Sequence, residues 1–213
     1  IADVINKDKM VHDKLKVVFL ENYRVSLAEK IFPASDISEQ ISTSGTEASG
    51  TGCMKFMLNG ALTVGTYDGA NIEIAQAVGP DNIFIFGLKF NEIEELLKKG
   101  YQPQDYIDRS NSLKEIINLI KSNFFSTVDY NLFGPILDNL INSDPYFICA
   151  DFDAYYDIQG KVSELYNNKT EWVKKSIINV AESGKFSSDR TISEYAKDIW
   201  NIPCSDPAKF ISK

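Results

Sequence analysis

The run G-T-E-A-S-G-T-G-C-M-K (45–55) leads small, turn-permissive residues straight into a lysine. Glycines let backbone N–H groups come close to an anion, and a helix starting near Thr51 would point its positive end at that anion. Thr51 and Lys55 are four residues apart, so a helix puts them on one face about one turn, roughly 5–6 Å, from each other. A ligand with a phosphate at one end and an amine-reactive group at the other matches this pattern, and pyridoxal phosphate carries both. Condensation of Lys55 with an aldehyde needs the unprotonated amine, which desolvation by Met54, Phe56, Met57 and Leu58 would favour. Two commoner phosphate loops fit less well. A P-loop requires G-K-[ST], but Gly50 is followed by Thr51 and Lys55 by Phe56, leaving no hydroxyl for magnesium. A dinucleotide fingerprint would put Lys55 where a glycine makes the close helix–strand contact. A glycine-rich turn before a buried helix, with Lys55 snorkelling to water, satisfies the spacing equally well.

Other polar residues point less sharply. Glu47 sits in the same loop and reads either as a ligand-binding acid or as a helix-terminus acid complementing a dipole. Asp68 and Asn71 fall in G-T-Y-D-G-A-N (65–71), where Asp-Gly after an apolar strand is foremost a turn and Asn71 a helix cap. His12 is the only histidine, too little material for a histidine triad or a zinc cluster, and no metal site is expected. Cys53, Cys149 and Cys204 form no C-x-x-C pair and read as reduced thiols.

These residues need a scaffold. The apolar runs K-V-V-F-L (16–20), L-T-V-G-T (62–66) and I-F-I-F-G (83–87) read as buried parallel strands. Helices are predicted over 51–60, 71–78 and 91–99, the last with Ile93, Leu96 and Leu97 on one face and Gly100 ending it. The alternation predicts an α/β fold built on a doubly wound sheet, with ligands beyond the carboxyl ends of its strands. The 45–55 loop would lie there, and so would Tyr23 and Arg24, which follow strand 16–20. Beyond residue 100 the pattern turns helical, with Leu113, Ile116, Ile117 and Ile120 marking one face and Trp172, Val173, Ile177, Ile178 and Val180 another. Thr191-Ile-Ser-Glu194 fits a capping box opening a last helix that carries Ile192, Tyr195, Ala196 and Ile199.

Composition narrows the classes. A chain of 213 residues can bury a substantial core. Its 22 basic and 30 acidic residues, a net charge of -8, argue against general affinity for nucleic acid or anionic membranes without excluding a local basic pocket. No apolar run reaches the roughly 18–20 residues that cross a bilayer, and the polar start is no signal peptide, so a cytoplasmic location is expected. The first residue is Ile1, and Ile1, Val4 and Ile5 are spaced as in the middle of a helix, which reads as a fragment of a longer protein.

The segments E-N-Y-R-V-S-L-A-E-K (21–30), Asp36 to Asn71, F-I-F-G (84–87) and G-K-F-S-S-D-R-T-I (184–192) together resemble the pyridoxal-phosphate region of the α-glucan phosphorylases, which act on glycogen, starch and maltodextrin. One departure lies inside the motif: Cys53 stands where the family usually has asparagine, beside the loop rather than as a direct ligand. The resemblance implies the carboxy-terminal half of a GT-B fold, with 1–187 in its Rossmann-like catalytic domain and 188–213 the terminal helix that crosses to an amino-terminal domain. It implies that Lys55 tethers pyridoxal 5'-phosphate, that Gly50, Thr51 and Gly52 hold its phosphate, and that Tyr23 and Arg24 lie near it. It also implies that Glu47 binds sugar hydroxyls of the substrate, helped by loop N–H groups of Ala48, Ser49 and Gly50, which makes Lys55 and Glu47 the catalytic candidates. Glu39, with seven residues between it and Glu47, matches the paired-acid spacing of many retaining glycosyltransferases of this fold. The implied reaction is phosphorolysis of terminal α-1,4-glucosidic bonds to glucose 1-phosphate with retention, the cofactor phosphate exchanging a proton with the substrate phosphate. The implied partners are an α-glucan, inorganic phosphate, glucose 1-phosphate and a second copy in a homodimer, with allosteric control, and the fragment alone is expected to be inactive. A nucleotide-sugar glycosyltransferase of the same fold, which leaves Lys55 unexplained, and a non-catalytic sugar-binding remnant are the alternatives.

Overall fold

A three-stranded parallel sheet lies at the centre of the described residues. The structure, a computed structural model, describes residues 1–11, 14–47 and 50–203. In chain order the elements are α1 (Ala2–Ile5), α2 (Val25–Ile31), β1 (Ile37–Gln40), α3 (Gly52–Leu58), β2 (Leu62–Thr66), α4 (Ala70–Val78), β3 (Phe84–Phe86) and α5 (Phe90–Lys99). There follow α6 (Pro103–Arg109), α7 (Asn111–Lys121), α8 (Gly134–Asn142), α9 (Ile148–Tyr166), α10 (Lys169–Glu182) and α11 (Ser188–Glu194), continued by a π-helical stretch Tyr195–Ile199. No helix among the described residues is long and apolar enough to cross a membrane.

The strands run parallel in the order β1-β2-β3, with Ile37 opposite Leu62 and Val64 opposite Phe84. Successive side chains of a strand point to opposite faces, and a parallel sheet must be covered on both. Leu62, Val64 and Phe86 pack against Ile158 and Val162 of α9 and Trp172 of α10. On the other face Ile83 joins Cys53 and Met57 of α3, Ala70, Ile74 and Val78 of α4, and Ile178 of α10. A third cluster, Ile107, Leu113, Ile117 and Cys149, gathers α6, α7 and α8 around the start of α9. The fully buried Asp144 begins α9 by accepting from the Ile148 N–H at 3.0 Å, the Cys149 N–H at 2.8 Å and the Tyr101 hydroxyl at 2.7 Å. Burial first, then the Asp144 contact, push the Tyr101 phenol well above its usual range.

Three sequence expectations about the elements change, and one strand forms that was not expected. Residues 16–20 form no strand: Val18, Phe19 and Leu20 are exposed, and the Asn6 side chain bonds Val17 N–H at 2.8 Å and Val17 C=O at 2.7 Å. Apolar content alone does not make a strand when no neighbouring strand supplies the ladder. The strand that does form, β1, reads Ile-Ser-Glu-Gln and was hidden by its polarity. Asn71 is not a cap; Gly69 holds that position and Asn71 is buried inside α4, donating to Gln40 C=O at 3.2 Å and Thr66 C=O at 3.0 Å. The capping box at Thr191 is not used either, because Ser187 caps α11 earlier by accepting from Arg190 N–H at 3.3 Å, and Glu194 pairs with Arg190 instead. Ala196 is buried beyond it, whereas Ile192, Tyr195, Ile199 and Trp200 are exposed.

Met57 is fully buried between α3, α4 and the sheet, so Met57→Ala should lower unfolding free energy by about 2–5 kcal/mol in urea titration. A loss under about 1 kcal/mol would mean that α3 does not dock as described.

Candidate functional site

The loop from Ile41 to Thr51 leaves the carboxyl end of β1 and enters α3, and the turn Tyr67–Gly69 leaves the carboxyl end of the adjacent β2. The two connections therefore meet at one rim of the sheet. Five hydrogen bonds tie them together. The buried Asp68 carboxylate accepts from Gly45 N–H and Glu47 N–H, each at 2.8 Å through a different oxygen. Ser44 Oγ donates to Tyr67 C=O at 2.9 Å, Thr66 Oγ1 donates to Ser42 C=O at 2.6 Å, and Asn71 reaches Gln40 C=O.

Within the loop, Glu47 is half-buried and its Oε2 accepts from Ser42 Oγ at 2.6 Å. Two glycines make room for it. A Cβ at Gly50 would stand 2.7 Å from Glu47 Oε1, and one at Gly69, whose φ is +48°, 2.8 Å from Glu47 Cγ. Thr51 occupies the cap position of α3 without a side-chain capping bond and is exposed, and the first N–H groups of a helix have no partner within it. Lys55 follows one turn later on the exposed side of α3, and among the described residues no ion pair or side-chain hydrogen bond engages its Nζ. The burial expected from its apolar neighbours is not there, because Cys53 and Met57 take the inward face while Lys55 lies between them on the outer one. Cys53 is 2% exposed, its Sγ donating to Gly50 C=O at 3.6 Å, and burial pushes its thiol up, so it fills space as a neutral group.

The remaining candidates lie apart from this group. Glu39 points to α9, where Tyr155 Oη donates to its Oε2 at 2.9 Å and Gln159 to its Oε1 at 2.8 Å. Burial and this carboxylate raise the Tyr155 phenol to about 12. No described contact joins Glu39 to Glu47. Arg24 stands at the N-cap position of α2 without a capping side-chain bond, its Nε donating to Ser26 Oγ at 3.2 Å; Tyr23 is exposed, and among the described residues no hydrogen bond or ion pair joins either to the loop, because the strand meant to carry them is not formed. Ala48, Ser49 and His12 lie outside the described residues.

Sequence reasoning passed over Ser42 and Asp151. Ser42 shows no motif and matters only through its bond to Glu47. Asp151 lies on α9 beside a cleft of about 560 Å³ next to the loop, lined also by Ile41, Phe86, Tyr146, Ile148 and Phe152. Its Oδ1 accepts from Leu88 N–H at 2.8 Å, and Gly87, at φ +78°, lets the backbone pass within a distance that a Cβ would close to 2.8 Å.

A profile of the carbohydrate phosphorylases matches residues 1–202. This chain belongs to that family. Human brain glycogen phosphorylase is 55% identical over 97% of the chain, the glycogen phosphorylase of Synechocystis 54% over 95%, and the mouse muscle form 55% over 95%. The chain spans only 24% of the length of each of these phosphorylases. The parallel sheet and its helical covering are those of part of a GT-B phosphorylase domain.

Burial raises the Asp151 carboxyl to about 6, assisted by Asp144 and Glu92 and opposed by the Leu88 N–H. The folded chain thus holds this proton more tightly than the unfolded chain, and ionisation costs stability as pH rises from the ordinary carboxyl range through about 6. Asp151→Asn should therefore stabilise the fold by up to about 3 kcal/mol at pH 7, with no gain below about pH 4. Urea titrations at the two pH values check it, and destabilisation at pH 7 would contradict the burial argument.

Proposed function

We propose that this chain is the carboxy-terminal, cofactor-bearing part of an α-glucan phosphorylase that releases glucose 1-phosphate from terminal α-1,4-glucosidic bonds with retention. The observation that carries the reading is the position of Glu47 in the loop after β1 and of Lys55 in the first turn of α3, at the carboxyl rim of a parallel sheet. The residues fit pyridoxal 5'-phosphate: an exposed primary amine at Lys55, a hydroxyl at Thr51 that makes no capping bond, and a helix start at Gly52 preceded by Gly50. Lys55 would tether the cofactor, and Gly50, Thr51 and Gly52 would hold its phosphate. When bound, the cofactor supplies a phosphate that acts as acid and base toward the substrate phosphate.

Glu47 would orient the terminal sugar by accepting from its hydroxyls, with the N–H groups of Ala48, Ser49 and Gly50 alongside. Its carboxylate is already held by Ser42, so less ordering is needed when the sugar arrives. Negative charge beside the ring also favours the oxocarbenium-like sugar through which glycosidic cleavage passes. Glu39 has no place in this scheme, since α9 holds its carboxylate.

The open edge of β1 and the unpaired 16–20 run have one explanation in the doubly wound order 3-2-1-4-5-6. If β1-β2-β3 are strands 4-5-6, then 16–20 is strand 3, and two strands outside these 213 residues belong between it and β1. Its docking would bring Tyr23 and Arg24 to the same rim, with Arg24 adding positive charge near the phosphates. The complete enzyme would act on glucan and inorganic phosphate in the cytoplasm as a homodimer, and residues 188–213 would cross to its amino-terminal domain.

Borohydride reduction of the complete enzyme followed by peptide mapping should leave a pyridoxyl group on Lys55; a label on another lysine, or none, would overturn the assignment. The 213-residue chain alone should release no glucose 1-phosphate from glycogen and phosphate under conditions in which the complete enzyme does. Turnover by the chain alone would show that the site is complete within it.

A further inference from the structure

Asp68 carries no obvious chemistry of its own, yet its surroundings are unusual. It is 6% exposed, and among the described residues no lysine or arginine pairs with it. A buried carboxylate is costly unless its oxygens are satisfied by donors of fixed direction. Here the donors are the backbone N–H groups of Gly45 and Glu47, one to each oxygen. Thr46 between them is turned back on Thr43, its N–H and its hydroxyl both donating to Thr43 C=O at 3.0 and 2.7 Å. The two bonds to Asp68 therefore fix the direction in which the chain passes through residue 47.

The neighbouring contacts converge on the same residue. Gly69 lies under the Glu47 side chain so closely that any Cβ would strike it. Thr66 holds Ser42 by its carbonyl, and Ser42 in turn donates to the Glu47 carboxylate. The turn Thr66–Gly69 thus touches Glu47 at its backbone N–H, at its Cγ, and through Ser42 at its Oε2. A turn that served only to join β2 to α4 would need none of these.

We infer that Asp68 is a positioning residue for Glu47: it sets the backbone of the loop so that the Glu47 carboxylate meets the sugar in a single orientation. The inference rests on Glu47 being the sugar-binding acid proposed above. Its consequence is specific, because a group misplaced by about 1 Å can cost on the order of 10²-fold in rate even when every group is still present. Lys55 is anchored separately, through the burial of Cys53 and Met57 on the inward side of α3, so loss of Asp68 leaves cofactor attachment intact.

A double-mutant cycle in the complete enzyme tests this. Activity is expressed per pyridoxyl-labelled Lys55, so that only folded, loaded enzyme is counted. Asp68→Asn keeps the size but sets an amide N–H₂ against a backbone N–H, and it should lower kcat/KM for phosphorolysis about 10²-fold with Lys55 labelling unchanged. In a Glu47→Gln background the same change should cost less than about threefold, because a residue that acts through Glu47 has nothing left to position. Equal losses in both backgrounds, or activity within about threefold of the parent for Asp68→Asn alone, would overturn the inference. If Asp68→Asn does not accumulate as labelled enzyme, Asp68→Glu, which keeps the charge and moves it by one methylene, takes its place with the same expectations. Wild-type activity of Glu47→Gln would instead overturn the underlying assignment of Glu47, so the two failures are distinguishable.

Discussion

A buried carboxylate answered by two backbone N–H groups, and by no cation among the described residues, holds the candidate site to the sheet. Asp68 can occupy that position only because β2 ends where it does. The five residues of β2 are all buried, which fixes the height at which Tyr67, Asp68 and Gly69 emerge. The burial of Ala70, Ile74 and Val78 in α4 then pulls the turn down on its far side. Between these supports the turn has little freedom, and the β1 loop inherits its shape. A site with exposed working groups is thus built on a scaffold that is rigid for reasons of packing, as preorganisation requires.

The separation of roles along α3 follows from helical geometry. Cys53 and Met57 are four residues apart and face the core, and Lys55, midway between them, must face out. The helix that anchors the site therefore presents the amine to solvent with no further device. Cys53, buried against Gly50 with its thiol neutral, keeps the loop-to-helix contact close.

What could be read from the sequence divides along a physical line. Elements whose residues satisfy their own pattern were legible: α7 from Leu113 and Ile117, α5 from Ile93 and its glycine end, and β2 and β3 from continuous apolar runs. Elements that depend on a neighbour were not. The run 16–20 has strand composition but no ladder partner, whereas β1 has a polar sequence and forms because β2 pairs with it. The same division holds at the site. Lys55, Thr51 and Gly50 announce themselves by spacing and by likeness to the phosphorylases. Asp68 acts on residues 21 and 23 positions earlier, and Asn71 on Gln40, 31 positions earlier, so an Asp-Gly turn and a helix cap were all that local rules could offer.

The central claim is that one loop, held from the β2–α4 turn, faces the cofactor on one side and the sugar on the other. A crystal structure of the complete enzyme with pyridoxal phosphate and glucose bound tests it most directly. The cofactor should be joined to Lys55, with its phosphate on the N–H groups of Gly50 to Gly52, glucose hydroxyls on Glu47, and Asp68 still accepting from Gly45 and Glu47. Cofactor on another lysine, or glucose bound away from Glu47, would contradict it.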